Sequence, residues 1–423
     1  EIVGKQLDEL SASLPEWMCF LRSLEEVQLS RIEVDGELQV IHDFRSRQPP
    51  EWEAYRHSWP ADWQDYATKV SLGDLQSSFI RTVSDATNDT ICTFAMASCL
   101  LADSREAALE QLASSSFALA PVVSVALDLH GKTSKLFSGM PLHESPWPAH
   151  IDACFDISSA RTAVDFNKRW NSLLVGEVLP SAHRQLLLLA SQLVTESRME
   201  LNDYVNLLPT MKEPPWMQAA SKLFEVVVED PVLPLVGKEK KAWAAPLNSY
   251  WVSERTRSLK SYAAAKHALA RAVNLVDCLR DDHIQLLKQA AGERLLSATL
   301  LGELLRQDEQ SHSLQTAFHW TFEETLLVLQ LIVDLASAQH ADLGMVLQGT
   351  RLLCLSSGRV AVFGRQAFYA PSYAALLPHE DIASPELASM QGFTRLPGFR
   401  APSFFEVILS HFRSILTEML LWL

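Results

Sequence analysis

The chain has 423 residues, of which 48% are hydrophobic and 21% charged, a length and composition that require more than one hydrophobic core. Its 36 Lys and Arg against 51 Asp and Glu leave a net charge of -15, which repels phosphate backbones and anionic lipid and excludes nucleic acid as an expected partner. The uncharged apolar runs are far shorter than the roughly 20 residues that span a bilayer, and no secretory-type leader opens the sequence, so a membrane is not expected either.

Along the chain, LPEWMCFLRSL reads as a helix, followed by two strands, EVQLSRIEV and ELQVIHDF, joined at Asp35-Gly36, a dipeptide that favours tight hairpins. Trp52, Trp59 and Trp63 lie among charges and read as rings packed over a sheet edge. Residues 79–86 and 90–102 form a second strand pair around Thr87-Asn88-Asp89. SREAALEQLASSS reads as a short helix, with Ser104 as N-cap and Glu106 and Glu110 near its start. PVVSVALDL and TSKLFSGM are strands turning at His130-Gly131, and AHIDACFDI is a third. Strands and helices mixed without strict alternation predict an α+β layer of antiparallel or mixed sheet with helices on one face.

From about residue 165 the pattern becomes helical, with FNKRWNSLLVGEVLPSAHRQLLLLASQLV carrying apolar residues at helical spacing and Pro180 expected to kink or split it. Further helical stretches are predicted at 256–278, 281–308 and 321–339, the last opening with the capping-box pair Thr321 and Glu324. VLPLVGKEKKAWAAP at 232–246 and RLLCLSSGRVAVFG at 351–364 each read as a short hairpin following a helix, a weak internal repeat. The expected organisation is an α+β domain over 1–200 and a mainly α-helical domain with small β-hairpins over 201–423. The sequence begins at Glu1 and its last segment, PSFFEVILSHFRSILTEMLLWL, is an amphipathic helix without a stop signal, so the chain reads as a piece of something longer.

Chemistry-bearing motifs are few. Cys19, Cys92, Cys99, Cys154, Cys278 and Cys354 make no paired spacing and read as buried thiols in a reducing, cytoplasmic compartment. His130-Gly131-Lys132-Thr133 ends like a phosphate-binding loop, but Ala126 stands where the first glycine is required and the segment joins two strands, so it reads as a turn. His143, His150 and Asp152 lie on a Pro-rich turn and the strand leaving it with no further ligand evident, and read as an exposed loop; no metal is expected. Asp281 and Asp282 beside His283 suit a helix start, and Lys238, Glu239, Lys240 and Lys241 suit a solvated turn. No G-x-S-x-G or H-E-x-x-H string occurs. Ser158, Ser159 and Arg161 remain: a basic, Ser-rich corner between a strand and a helix start is a place where an anion can bind, with Arg161 supplying the charge. A surface arginine at a helix start more commonly serves as a salt-bridge partner.

LFSGMPL, WPAHIDACFDISSART and RWNSLLVGEVLPSAHRQLLLL, within residues 136–189, resemble the sacsin family, whose repeats carry F-x-x-L-P-L, a turn, a strand ending in L-S-S-x-R-R, then W-N-x-x-L-L and a helix. VLPLV with the following AW, RLLCLSSGRVAVF and AFYAPSYAALLP extend the likeness, which touches points from residue 14 to 378. Sacsin repeats are similar to the ninety-kilodalton heat-shock chaperones, in which an ATP-binding lobe is followed by a middle domain that sends an arginine to the γ-phosphate. The resemblance assigns that part to Arg161, with Ser158 and Ser159 as weaker cofactor-facing companions; Thr162 stands where the family pattern has a second arginine.

The N-x-x-D-A and D-x-G-x-G strings that would hold Mg and adenine do not occur; Asp85-Ala86 has Thr82 where the asparagine belongs. The resemblance therefore implies the middle and helical part of a chaperone repeat, with no cofactor and no enzyme activity of its own. ATP and Mg would be bound by an upstream ATP-binding lobe of the same polypeptide, and the partners would be protein clients or other chaperones. The alternative is an interaction scaffold with no ATPase role.

Overall fold

The computed structural model describes residues 13–20, 26–32, 38–47, 76–87, 89–100, 122–130, 134–138, 140–157, 164–210, 213–237, 242–310, 320–390, 392–403, 406–410 and 412. The predicted helix at 104–116, the Trp52, Trp59 and Trp63 segment, Gly131 to Thr133, Lys238 to Lys241 and most of the final helix lie outside them. The chain divides into two compact units. The first comprises Glu1–Val232, Ala245–Leu247 and Gln285–Ala291; the second comprises Leu233–Ala244, Asn248–Ile284 and Gly292–Leu423. The architecture is α+β: a mostly antiparallel sheet in the N-terminal part and a helical region with small β-pairs after it.

In the first unit an eight-stranded sheet is built from β1 (Glu26–Ile32), β2 (Leu38–Arg47), β3 (Gln76–Asp85), β4 (Thr90–Leu100), β5 (Val122–Asp128), β6 (Lys135–Phe137), β7 (Pro141–Glu144) and β8 (His150–Ala153). Its spatial order is β1-β2-β3-β4-β5-β8-β6-β7. The expected pairs β1–β2 and β3–β4 are antiparallel neighbours, with Ile32 opposite Leu38 and Asp85 opposite Thr90. Around His130 the topology differs from a simple succession of neighbours. β5 pairs antiparallel with β8, and β8 runs parallel to β6, so the last strand of the group is inserted between the first two. Burial explains the placement: Ile151 and Ala153 of β8 are enclosed, as an interior strand requires, whereas β7 is largely exposed and takes the edge.

Alternation along β4 sends neighbouring side chains to opposite faces. Phe94 and Met96 pack with Leu14, Met18, Phe20, Phe44, Phe79 and Phe137, so the segment 13–20, with a helix (α1) at 13–18, closes one face. Arg81 of β3 is fully buried beneath this layer, donating from Nε to Ser46 Oγ at 2.6 Å and from Nη1 to the Cys19 carbonyl at 2.8 Å. A buried guanidinium is tolerated because such bonds replace its hydration.

The long helix on the other face begins with α2 (Arg169–Leu173), passes through a π-helical turn at Leu174–Val178 and continues as α3 (Leu179–Thr195). Pro180 therefore does not split the helix. A proline has no N–H and its ring crowds the carbonyl four residues back; the widened turn accommodates this, with the Leu179 N–H reaching Leu174 O. The face bearing Ala182, His183, Leu186, Leu187, Ala190, Leu193 and Val194 is buried at helical spacing, and α3 packs on β3, β4 and β5. Two further helices, α4 (Leu201–Asn206) and α5 (Trp216–Val226), pack against α3.

The second unit carries α6 (Glu254–Arg257), α7 (Lys260–Ala272), α8 (Asp281–Ala291, which crosses the division between units), α9 (Ala298–Gln310), α10 (Phe322–Gln339), α11 (Leu343–Leu347) and α12 (Pro385–Ser389). The expected helix over 281–308 is two helices: Gly292 adopts φ +80°, a left-handed conformation that ends α8. α10 is the central helix of the unit, with Val328, Leu329, Leu331, Ile332, Val333 and Leu335 buried. It opens with the expected reciprocal capping box, Glu324 N–H to Thr321 Oγ1 and Thr321 N–H to Glu324 Oε2, and Arg271 of α7 pairs with Glu324 at 2.5 Å. Both predicted hairpins are present, Leu233–Pro234 with Trp243–Ala244 and Leu353–Cys354 with Val360–Ala361. A parallel pair, Tyr250–Trp251 with Leu275–Val276, accompanies them.

α9 and α11 approach so closely at Gly302 that a Cβ there would stand 2.4 Å from the Val346 carbonyl oxygen. Alanine normally favours a helix over glycine by about 1 kcal/mol. Here Gly302→Ala is expected to lower stability by about 1–3 kcal/mol, because backbone rather than a flexible side chain must give way. A thermal melt showing equal or greater stability would refute this.

Candidate functional site

The strongest local construction near the predicted S-S-x-R corner is the base on which it stands. β8 runs into residues 154–157, and the chain returns at 164–168 to start α2. Ile157 and Val164 form an antiparallel bridge. Beneath them Asn171, fully buried on α2, bonds both strands of the return: its Oδ1 accepts the Asp156 N–H at 2.8 Å, and its Nδ2 donates to Asp156 O at 2.8 Å and Asp165 O at 2.9 Å. The neighbouring Trp170, also buried, donates from Nε1 to the Cys154 carbonyl at 2.7 Å. These two residues are the Trp-Asn pair of the RWNSLL string, and the bonds explain why that pair is needed: an amide alone among neutral side chains supplies one acceptor and two donors to a backbone that has no ladder partner.

Outside this clamp the half-exposed Lys168 ammonium meets Asp156 at 2.7 Å, and the Asp165 carboxylate accepts the Asn167 N–H at 3.0 Å, turning the chain into α2. Ser158, Ser159 and Arg161 themselves lie outside the described residues. The structure thus brings the two ends of the 158–163 segment together, at Asp156–Ile157 and Val164–Asp165, on one helix start.

A chain of rings leads away from this base. Phe155 meets Phe166 at 6.3 Å between centroids, Phe166 meets Trp216 of α5 at 5.2 Å, Trp216 meets Trp147 at 6.1 Å, and Trp147 meets His183 of α3 at 5.2 Å. His183 is fully buried and joined at both nitrogens: Trp147 Nε1–H donates to Nδ1 at 3.0 Å, so Nε2 carries the proton and donates to the Leu207 carbonyl at 2.9 Å. Burial lowers its pKa from 6.5 to about 4, and the imidazole is neutral. These rings and bonds form a continuous series of packed contacts between the base, α5, α3 and the end of α4.

The histidines considered as ligands are separated in role. His143 on β7 is exposed and donates to the Glu144 carbonyl. His150 is not in the expected exposed loop: it lies on β8, buried between Phe94 and Phe137, its Nδ1 accepts the Lys135 N–H at 3.2 Å, and burial lowers its pKa to about 4. Among the described residues no group of three His, Cys, Asp or Glu could hold a metal. His183 and the clamping part of Asn171 were not read from the sequence. The signal for both was a polar residue on the apolar face of a predicted helix, which burial permits only with partners.

Among the described residues, no helix is long and apolar enough to cross a membrane. No protein-family model, curated protein or solved structure matches the chain.

Proposed function

We propose that this chain is the non-nucleotide-binding portion of a sacsin-like chaperone repeat, which couples an upstream ATP-binding lobe to the binding of clients or neighbouring modules in the cytoplasm. The observation that carries this reading is the Asn171 clamp, which fixes both ends of the segment bearing Ser158, Ser159 and Arg161. An arginine offered to a γ-phosphate accelerates phosphoryl transfer through positioning and charge, so its mount must be stiff. The ring series from Phe155 to His183 gives that mount a packed connection to the helices behind the sheet. All six cysteines are free thiols, which suits a reducing compartment, although they are not all buried as expected: Cys154 is exposed.

In this reading ATP and Mg belong to the absent lobe, and the chain alone turns over no nucleotide. Thr162 in place of a second arginine favours a second reading, a scaffold that has lost the ATPase role. One experiment separates them. With the upstream lobe rejoined, Arg161→Ala is expected to lower ATP turnover by about a thousandfold, the lower range for arginines acting on a transferring phosphoryl group. Unchanged turnover would remove Arg161 from the mechanism and leave the scaffold. Calorimetric binding of ATP and Mg by residues 1–423 alone would overturn the first reading altogether.

A further inference from the structure

A pocket of about 490 Å³ opens in the first unit beside the end of β5, the entry to β8 and one side of α4. That volume suits a small molecule. Its lining includes His150, 2% exposed, with Leu207 and Met199. His150 uses Nδ1 to accept the Lys135 N–H, so its Nε2 carries the proton, and among the described residues no partner accepts from that nitrogen. His150 belongs to the lining of the cavity, and a ring N–H in such a lining can be met by an acceptor on whatever fills the space.

The acidic residues of the lining have the opposite need. Asp128 and Asp203 line the cavity, with Asn206 adding an amide, and no lysine or arginine among the described residues does so. Asp128 accepts the His130 N–H at 2.9 Å, but neither carboxylate forms an ion pair with a described residue. The Lys135 ammonium nearby is taken by Glu16 at 2.5 Å. Two carboxylates, an imidazole donor and the apolar Met199 and Leu207 in one lining define a ligand by chemistry: a cation, an oxygen acceptor and an aliphatic part that joins them.

We propose that this pocket binds a small aliphatic amine that also carries a hydroxyl or carbonyl oxygen. The proposal does not depend on the chaperone reading.

Titration calorimetry on the full 423-residue chain with aminopentanol tests it, against pentylamine, which lacks the oxygen, pentanol, which lacks the charge, and hydroxypentanoate, which reverses it. Aminopentanol is expected to bind at millimolar concentration or below, and each comparison compound at least about tenfold more weakly, a difference of about 1.4 kcal/mol. Asp203→Asn, at an exposed position, is expected to weaken aminopentanol about fivefold without altering the melting temperature; Asp128→Asn keeps the acceptor for the His130 N–H and should act in the same direction. Should Asp128→Asn fail to fold, Asp203→Asn decides. Absence of binding, equal affinity for hydroxypentanoate, or full affinity in Asp203→Asn would each overturn the proposal, whatever the outcome of the ATPase experiment.

Discussion

Replacing Asn171 with alanine is expected to destabilise the first unit by about 3 kcal/mol, because one truncation leaves the Asp156 N–H and the carbonyls of Asp156 and Asp165 without their partner. Each such buried group costs about 1–3 kcal/mol when unpaired, and partial access of water to the return strand limits the sum. Asn171→Asp is expected to be at least as harmful, since a carboxylate would still accept from Asp156 but would place a buried charge against two carbonyl oxygens. Lys168→Ala removes only the half-exposed pair with Asp156 and is expected to change stability by less than about 1 kcal/mol. Urea unfolding measures all three, and hydrogen exchange at the Asp156 amide reports the clamp directly. A loss below about 1 kcal/mol for Asn171→Ala, with that amide still protected, would show that the base is held by something other than this side chain.

Acidification is expected to unfold the first unit through His150 and His183. Burial is the main cause of both shifts, and each imidazole has its pKa lowered from 6.5 to about 4 in the folded chain. A folded value below the unfolded one means that the unfolded chain binds the extra proton more readily. The stabilisation is therefore complete above pH 6.5 and is lost as pH falls from 6.5 towards 4. Each group contributes about 3 kcal/mol over that window at 1.36 kcal/mol per pH unit. Unfolding free energy measured across the window should fall by up to about 2.7 kcal/mol per pH unit when both protonate together, and His183→Gln, which has no group titrating there, should halve that slope. A flat profile between those limits, or an unaltered slope in the variant, would show that the two imidazoles reach protons without unfolding.

Much of the scaffold was legible because its signals are local. The two alternating runs EVQLSRIEV and ELQVIHDF marked the first strand pair, whose Asp35-Gly36 turn lies outside the described residues, Thr321 and Glu324 marked the start of α10, and the glycine-bearing turns marked the two small hairpins, since each depends on residues a few positions apart. Strand order was not legible. Nothing in VVSVALD or KLF states that HIDA will lie between them, because any apolar strand can fill an interior place and the choice is made by packing across the sheet. Gly292 was passed over inside a helical pattern because only a backbone angle distinguishes a stop from a tolerated glycine. At the candidate site the Trp-Asn pair was visible as a string, yet its task became clear only when Asn171 was seen bonding residues 156 and 165, which belong to different turns of the chain.

The insertion of β8 between β5 and β6 also dictates an order of events during synthesis. As the nascent polypeptide leaves the ribosome, β4 can receive β5 at once, but the far side of β5 has no neighbour until Ala153 has emerged. For that interval an apolar strand, with Val122, Val123, Val125 and Ala126 destined for burial, offers open amides and carbonyls to any other chain nearby.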